Sequence, residues 1–284
     1  MRDTIDINSN DNALFITSQC NNRCVMCCQP PLLRNDLDGY FQKNMALIDS
    51  APRELRSIGI TGGEPTLLGD RLFELLRHIR TKLPETEIHL LTNGRAFADK
   101  EYARKLAECG EEKILLGIPL HADYAGGHDA ITQVKGSFEE TMLGLYNLGR
   151  YDIGIELRVV ITKMNYLRLP KLPDFIYRNL PFVEFISLMG LEYAGYTIKT
   201  VKQSGSIRWI IRQNSRRRFW SCGTGVWTFQ SSTCRGAFSQ KRYGPLPANP
   251  YPIGKPNTSI FAGNVSSKRN VADYSQPLEC KVEE

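Results

Sequence analysis

Six short runs rich in Ile, Leu and Val alternate with helical patterns over about the first 190 residues, and no other feature limits the fold as tightly. The strand-like runs are 13–17, 57–61, 87–92, 114–120, 153–162 and 183–188. Near-continuous apolar runs of this length are expected of parallel strands covered on both faces. Helical patterns fall between them at 40–49, 70–82, 99–109, 138–148 and 172–179. In the second of these, Leu72, Leu75, Leu76 and Ile79 share one face, with Asp70 placed to cap the N-terminus. The third closes at Cys109-Gly110, where glycine suits a C-terminal cap. Strict strand–helix alternation predicts an α/β fold with right-handed crossovers. Six units are fewer than the eight of a closed barrel, so the expected architecture is a partial (βα)6 TIM-like barrel. In such folds chemistry gathers on loops leaving the C-terminal ends of the strands.

At 284 residues the chain can bury a large core. No basic stretch leads into an apolar run with a cleavage site, and no run approaches the ~20 residues that span a bilayer. A soluble, cytoplasmic protein without a membrane partner is therefore expected. Eight cysteines, four of them between positions 20 and 28, read as metal ligands in a reducing compartment rather than as a disulfide framework.

Charge divides the chain. Residues 198–284 carry 14 Lys and Arg against 4 Asp and Glu, whereas residues 1–197 carry 22 against 26. The basic part holds all three tryptophans, a run Arg216-Arg217-Arg218, and five prolines between 245 and 256. No helix or strand period persists there, so two regions are expected: a core over 1–197 and an irregular basic tail over 198–284. The tail reads as a poorly folded segment or as a stretch outside its family's reading frame. Its basic residues are scattered without a helical face, which argues against a nucleic-acid partner.

The chemistry begins just after the first strand-like run, where Cys20, Cys24 and Cys27 stand in the spacing Cys-x3-Cys-x2-Cys. One short loop can present three thiolates to one face of an iron–sulfur cluster, and three ligands on four irons leave one iron open for chemistry. A structural zinc site would need a fourth ligand, but Cys28 is adjacent to Cys27 and no His-x3-His follows. The second run ends in Gly62-Gly63-Glu64-Pro65. Two glycines permit a close backbone approach to a ligand, and Glu64 offers a carboxylate to an ammonium group.

These two motifs resemble those of the radical S-adenosylmethionine (SAM) superfamily. The resemblance implies a 4Fe–4S cluster on Cys20, Cys24 and Cys27, and SAM bound near Gly62, Gly63, Glu64 and Pro65. It also implies reductive cleavage of SAM to a 5′-deoxyadenosyl radical, with an electron donor such as flavodoxin or ferredoxin. Further candidates stand at other strand ends. Asn93, in Leu91-Thr92-Asn93-Gly94, lies where the family approaches SAM, although Asn-Gly also favours a plain turn. His121 follows the fourth strand and could reach the ribose or the substrate, or serve structure alone. Arg158 and Lys163 could hold a carboxylate of SAM or substrate, or be paired surface charges. Gly190 would let the backbone approach adenine, with Glu192 close by. Cys28 reads as a spare thiol and Cys109 as core. No catalytic residue is assigned.

The stretch His128-Asp129 with Lys135-Gly136-Ser137-Phe138-Glu139 resembles peptide-modifying members, including those with a SPASM-type extension, although Ser137 and Glu140 could simply form a helix-capping box. Over residues 12–197 the order of motifs is most similar to the His-Xaa-Ser system radical SAM maturases. Gln29-Pro30-Pro31, Leu91 to Arg95, Gly117-Ile118-Pro119-Leu120 and Leu188 to Glu192 carry that likeness. It implies a peptide or small-protein substrate with His-Xaa-Ser repeats, and partner maturation enzymes. In place of a cysteine-rich extension the tail holds only the scattered Cys222, Cys234 and Cys280.

Overall fold

The computed structural model describes residues 5–9, 12–151 and 153–205, together with the strand backbone at 226–230. Strands β1 (Ala13–Phe15), β2 (Ser57–Thr61), β3 (Glu87–Leu91), β4 (Ile114–Pro119), β5 (Gly154–Val160) and β6 (Phe185–Met189) lie side by side in chain order. Each pairs in parallel with the next. A seventh strand, β7 (Val226–Gln230), adds antiparallel to β6. The sheet is open, with β1 and β7 at its edges, as expected of a partial barrel.

The α-helices are α1 (Leu37–Asp49), α2 (Asp70–Lys82), α3 (Lys100–Ala107), α4 (Ala125–Thr132), α5 (Ser137–Leu148), α6 (Leu172–Asn179) and α7 (Tyr196–Ser204), with short 3₁₀ turns between elements. The strand period of two sorts the sheet into two unlike faces. Leu14, Ile58, Ile60, Leu90, Leu116, Ile118, Leu157 and Val159 are buried in one apolar cluster with Leu72, Leu75, Leu76 and Ile79 of α2. Each such side chain contributes roughly 1.5–3 kcal/mol by leaving water.

The other, concave face departs from the expectation of apolar cover on both sides. His89 lies 2.8 Å from the Glu156 carboxylate, and Arg158 reaches the same carboxylate at 3.5 Å. Gly117 leaves space for them: a Cβ there would stand 3.0 Å from both the His89 ring and the Arg158 side chain.

Several local expectations are corrected. Asp70 is the first residue of α2 rather than its cap, and its carboxylate pairs with Lys105 at 2.7 Å. Ser137 and Glu140 do not form a capping box. Asp129 caps α5 instead, accepting from the Gly136 and Phe138 N–H groups at 2.6 and 2.9 Å and from the Ser137 hydroxyl at 2.8 Å. Glu140 is thereby free to pair elsewhere. Helix α4 went unread because its glycines, Gly126 and Gly127, obscure a helical period. Helix α7 begins before position 197 and ends at Ser204, and β7 lies within residues 198–284. The remainder of the expected tail, residues 206–225 and 231–284, lies outside the described residues, as do Cys222, Cys234 and Cys280.

Among the described residues no helix is long and apolar enough to cross a membrane.

Candidate functional site

The loop carrying Cys20, Cys24 and Cys27 leaves β1 at the C-terminal rim and is closed at its base by the Leu32 N–H donating to Ser18 O at 2.9 Å. Asp36 braces that base. Its carboxylate accepts from the Thr17 hydroxyl at 2.5 Å, from both the hydroxyl and the N–H of Ser18, and from Arg34. Burial alone would raise the Asp36 carboxyl, but the hydrogen bonds from Ser18 and Thr17 outweigh it and hold it down at about 2.

Two helices grip the loop farther out. The end of α4 accepts from it: Arg23 N–H reaches Thr132 O at 3.0 Å and Val25 N–H reaches Ile131 O at 2.9 Å. Helix α7 donates to it: Tyr196 N–H reaches Cys27 O at 2.9 Å, the Thr197 hydroxyl Met26 O at 3.3 Å, and the Thr200 hydroxyl Val25 O at 2.6 Å. Gly195 permits this approach, with φ at +56° and a would-be Cβ only 2.5 Å from Cys27 O. Beneath the loop, Val25 and Met26 pack with Ile131 and Leu191, and Cys24 leans on the same small cluster. The residues just past position 197 therefore help to build the site.

The thiols themselves are poorly able to ionise unaided. Burial, with the neighbouring Glu64 and Cys27 charges, pushes Cys20 up to about 11. Burial and the charges of Cys20 and Cys27 push Cys24 up to about 12, and burial raises Cys27. Such a trio stays protonated at neutral pH unless bound cations neutralise the thiolates. Among the described residues no three His, Cys, Asp or Glu side chains are gathered closely enough for a single ion. Three separated thiols on one loop instead suit a cluster that takes one cysteine per iron, so the donor set fits a 4Fe–4S group. Cys28 is exposed; burial and the adjacent Glu192 raise its thiol. Cys109 is buried in the core, as expected.

Gly62 and Gly63 serve the same loop. A Cβ on Gly62, whose φ is +143°, would sit 2.7 Å from Thr17 O, and one on Gly63 would sit 1.9 Å from Gln19 O. Gly63 N–H donates to Thr17 O at 2.7 Å and Glu64 N–H to Gln19 O at 2.8 Å. The close approach that two glycines allow is thus made to the protein's own backbone at the start of the cysteine loop.

Glu64 is fully buried, and its Oε1 accepts from the Thr66 N–H and hydroxyl at 3.0 and 2.8 Å and from the Thr92 hydroxyl at 2.7 Å. Its Oε2 accepts from Asn93 N–H at 2.7 Å. Burial raises its carboxyl, and these hydrogen bonds oppose the rise. The carboxylate ties the end of β2 to the end of β3 and caps the short 3₁₀ turn Pro65–Leu68, in which Pro65 is buried.

Asn93 is buried as well, and its Nδ2 donates to Asn21 Oδ1 of the cysteine loop at 2.6 Å. Gly94 behind it takes φ +79°, the left-handed conformation that a turn here requires. Sequence reasoning missed Arg95, whose guanidinium donates to Asn21 O and Asn22 Oδ1, each at 2.8 Å. Its place in the quoted Leu91 to Arg95 run was the only available signal.

His121 is fully buried after β4, stacks on His128 at 5.6 Å, and leaves its Nδ1 without a hydrogen-bond partner. Burial and His128 press it down to about 3, so it is neutral. Arg158 projects onto the concave face, contacting Glu156 and, at 3.1 Å, the Met189 sulfur. Lys163 lies over Gly205. Gly190 follows β6 directly and is half-buried.

An open parallel sheet with a three-thiol loop on its C-terminal rim defines a protein built to hold an iron–sulfur cofactor. The model of the radical SAM superfamily matches residues 14–174, and the chain belongs to that superfamily. The superfamily's cofactors are a 4Fe–4S cluster and SAM. The Fe-coproporphyrin III synthase of Methanosarcina barkeri is 31% identical over 199 residues, covering 68% of this chain and 46% of that protein. A probable GTP 3′,8-cyclase of Thermococcus kodakarensis is 28% identical over 153 residues, covering 53% and 47%. The chain thus spans about half the length of the curated relatives it matches. Among solved structures, Streptococcus suis SuiB bound to S-adenosylmethionine superposes with a TM-score of 0.53 at 17% identity, covering 72% of this chain and 48% of that one. SuiB is also known bound to its precursor peptide SuiA.

Proposed function

We propose that Cys20, Cys24 and Cys27 hold a 4Fe–4S cluster with one iron free of protein, and that the chain acts on a peptide or small protein of the His-Xaa-Ser repeat kind. The observation that carries this reading is the Cys-x3-Cys-x2-Cys loop at the rim, held at its base by Asp36 and Gly63 and farther out by α4 and α7. When bound, a reduced cluster would supply one electron and SAM the sulfonium that accepts it, giving methionine and a carbon radical able to take hydrogen from a substrate. A flavodoxin- or ferredoxin-type partner would deliver that electron.

The chain's own residues do the positioning. Gly62 and Gly63 lock the base of the cysteine loop to the end of β2, and Glu64 with Asn93 locks β2 to β3. Arg158 offers a cation on the concave face for a carboxylate of SAM or substrate. His121 offers an unpartnered ring nitrogen near the end of β4, and Gly190 leaves the backbone open to adenine. Burial of Glu64 and Asn93 strengthens the polar contacts they make.

The order of motifs and the existence of a peptide-bound relative of this fold support the peptide substrate. A second reading, a small-molecule substrate, is favoured by the names of the curated relatives, a porphyrin synthase and a GTP cyclase. Anaerobic reconstitution followed by assay of SAM cleavage separates them. Stimulation by a synthetic His-Xaa-Ser repeat peptide is the expected result; stimulation by a porphyrin or by GTP alone overturns the peptide reading. Cys24→Ala should abolish both the cluster and cleavage, and retained cleavage would refute the ligand assignment.

A further inference from the structure

One charged side chain in the bracing of the cysteine loop has no place in the reading above. The Arg95 side chain is only 14% exposed, at the mouth of the loop after β3. Its Nη1 donates to two acceptors on the cysteine loop, Asn21 O and Asn22 Oδ1, both at 2.8 Å. Its Nε donates to Glu140 Oε2 of α5 at 2.5 Å, which anchors the far side of the guanidinium. Asn93 completes the ring, accepting from Arg95 N–H at 3.0 Å and donating to Asn21 Oδ1 at 2.6 Å.

Asn22 passes this arrangement to a sulfur. It is 3% exposed, and its N–H lies 3.3 Å from Cys20 Sγ. By donating to the amide oxygen of Asn22, Arg95 fixes the residue whose backbone N–H faces Cys20 Sγ.

We propose that Arg95 is a positioning residue for the cluster, acting through Asn21 and Asn22 to hold the cysteine loop and to orient the Asn22 N–H onto the Cys20 sulfur. This rests on the cluster reading above and deepens it. Hydrogen bonds to cluster sulfurs and nearby positive charge raise a cluster's reduction potential. Groups that orient metal ligands typically cost about 10- to 100-fold in metal affinity when lost. Lysine would keep the charge but lacks the planar fork that lets Nη1 reach the loop while Nε holds Glu140.

The experiment compares wild type, Arg95→Ala, Arg95→Lys and, as a control, Arg104→Ala, an exposed arginine of α3 paired with Glu101 and Glu108. Each is reconstituted anaerobically with iron and sulfide. The cluster's reduction potential, its iron retention against a chelator and the thermal midpoint of the unloaded chain are then measured. Expected are a negative shift in potential and about 10- to 100-fold weaker iron retention for Arg95→Ala. Arg95→Lys should fall between it and wild type, and Arg104→Ala should match wild type. If Arg95→Ala does not fold, Arg95→Lys decides. Wild-type potential and retention in both Arg95 variants would overturn the proposal while leaving the cluster reading intact; a wild-type chain that takes up no cluster sinks both.

Discussion

Behind the sheet, Leu72, Leu75, Leu76 and Ile79 are wholly removed from water and sit in a cluster of aliphatic and aromatic neighbours. Along the rim, Glu64, Asn22 and Asn93 are 0%, 3% and 7% exposed, yet each is held by specific donors and acceptors. Equal burial thus rests on different physics. The apolar cluster needs the right volume and tolerates volume-conserving exchange. The rim needs particular atoms in particular directions, because an unmatched buried polar group is costly. Stability should therefore reside mainly behind the sheet and cofactor binding mainly at the rim.

Leu76→Ala tests the first half and should give the largest loss of stability. Removing a fully buried leucine costs about 2–5 kcal/mol through lost transfer energy and a residual cavity. Denaturant titration should show that loss, while iron bound per folded chain stays at the wild-type level. A cluster lost along with Leu76 would break the comparison, since it would make the rim depend on distant packing.

Gly63→Ala tests the second half with a smaller cost to the fold. Its Cβ would fall 1.9 Å from Gln19 O, a backbone atom that cannot rotate away, so the start of the cysteine loop must move. Overpacking of this kind costs about 1–3 kcal/mol. The expected signature is modest destabilisation together with loss of iron loading out of proportion to it. Wild-type iron loading in Gly63→Ala would mean that the close approach of β2 to the loop does not set the thiol positions.

The same contrast explains what could be read from sequence. Period and apolarity revealed all six parallel strands and the helices α1, α2, α3, α5 and α6, because aliphatic burial repeats along the chain and leaves a pattern. Helix α4 was hidden by paired glycines, and α7 by the polar composition that begins at the tail. At the site, cysteine spacing was legible because metal ligation imposes it. The contacts of Gly63 with Gln19, of Thr200 with Val25, and of Arg95 with Asn21 and Asn22 were not. Each joins residues far apart in sequence by a single hydrogen bond or close approach, and such one-off contacts have no period. His128-Asp129 and Gly136-Ser137-Phe138 were noticed as a motif. Only the structure shows that Asp129 caps α5 while α4, which carries it, supplies the carbonyls that hold Arg23 and Val25.

The smallest effect sharpens the comparison by pH. Asp36 ties the base of the cysteine loop to Thr17 and Ser18, and those bonds lower its carboxyl from 3.8 to about 2 despite burial. A carboxyl that is more acidic folded than unfolded stabilises the fold above its unfolded value, and the benefit disappears as pH falls through the folded one. Wild type should therefore lose this contribution between pH 3.8 and about 2. Asp36→Asn should be less stable at neutral pH by on the order of 1 kcal/mol and should show a shallower decline over that acid window. Other carboxylates lowered by their partners, such as Asp123 and Asp129, titrate in both proteins, so the difference between the two curves isolates Asp36. Parallel curves would mean that the base of the loop draws nothing from the charge on Asp36, and that its hydrogen bonds are as strong to a neutral amide. The bracing of the thiol loop would then depend on shape at its base and on charge only near Arg95.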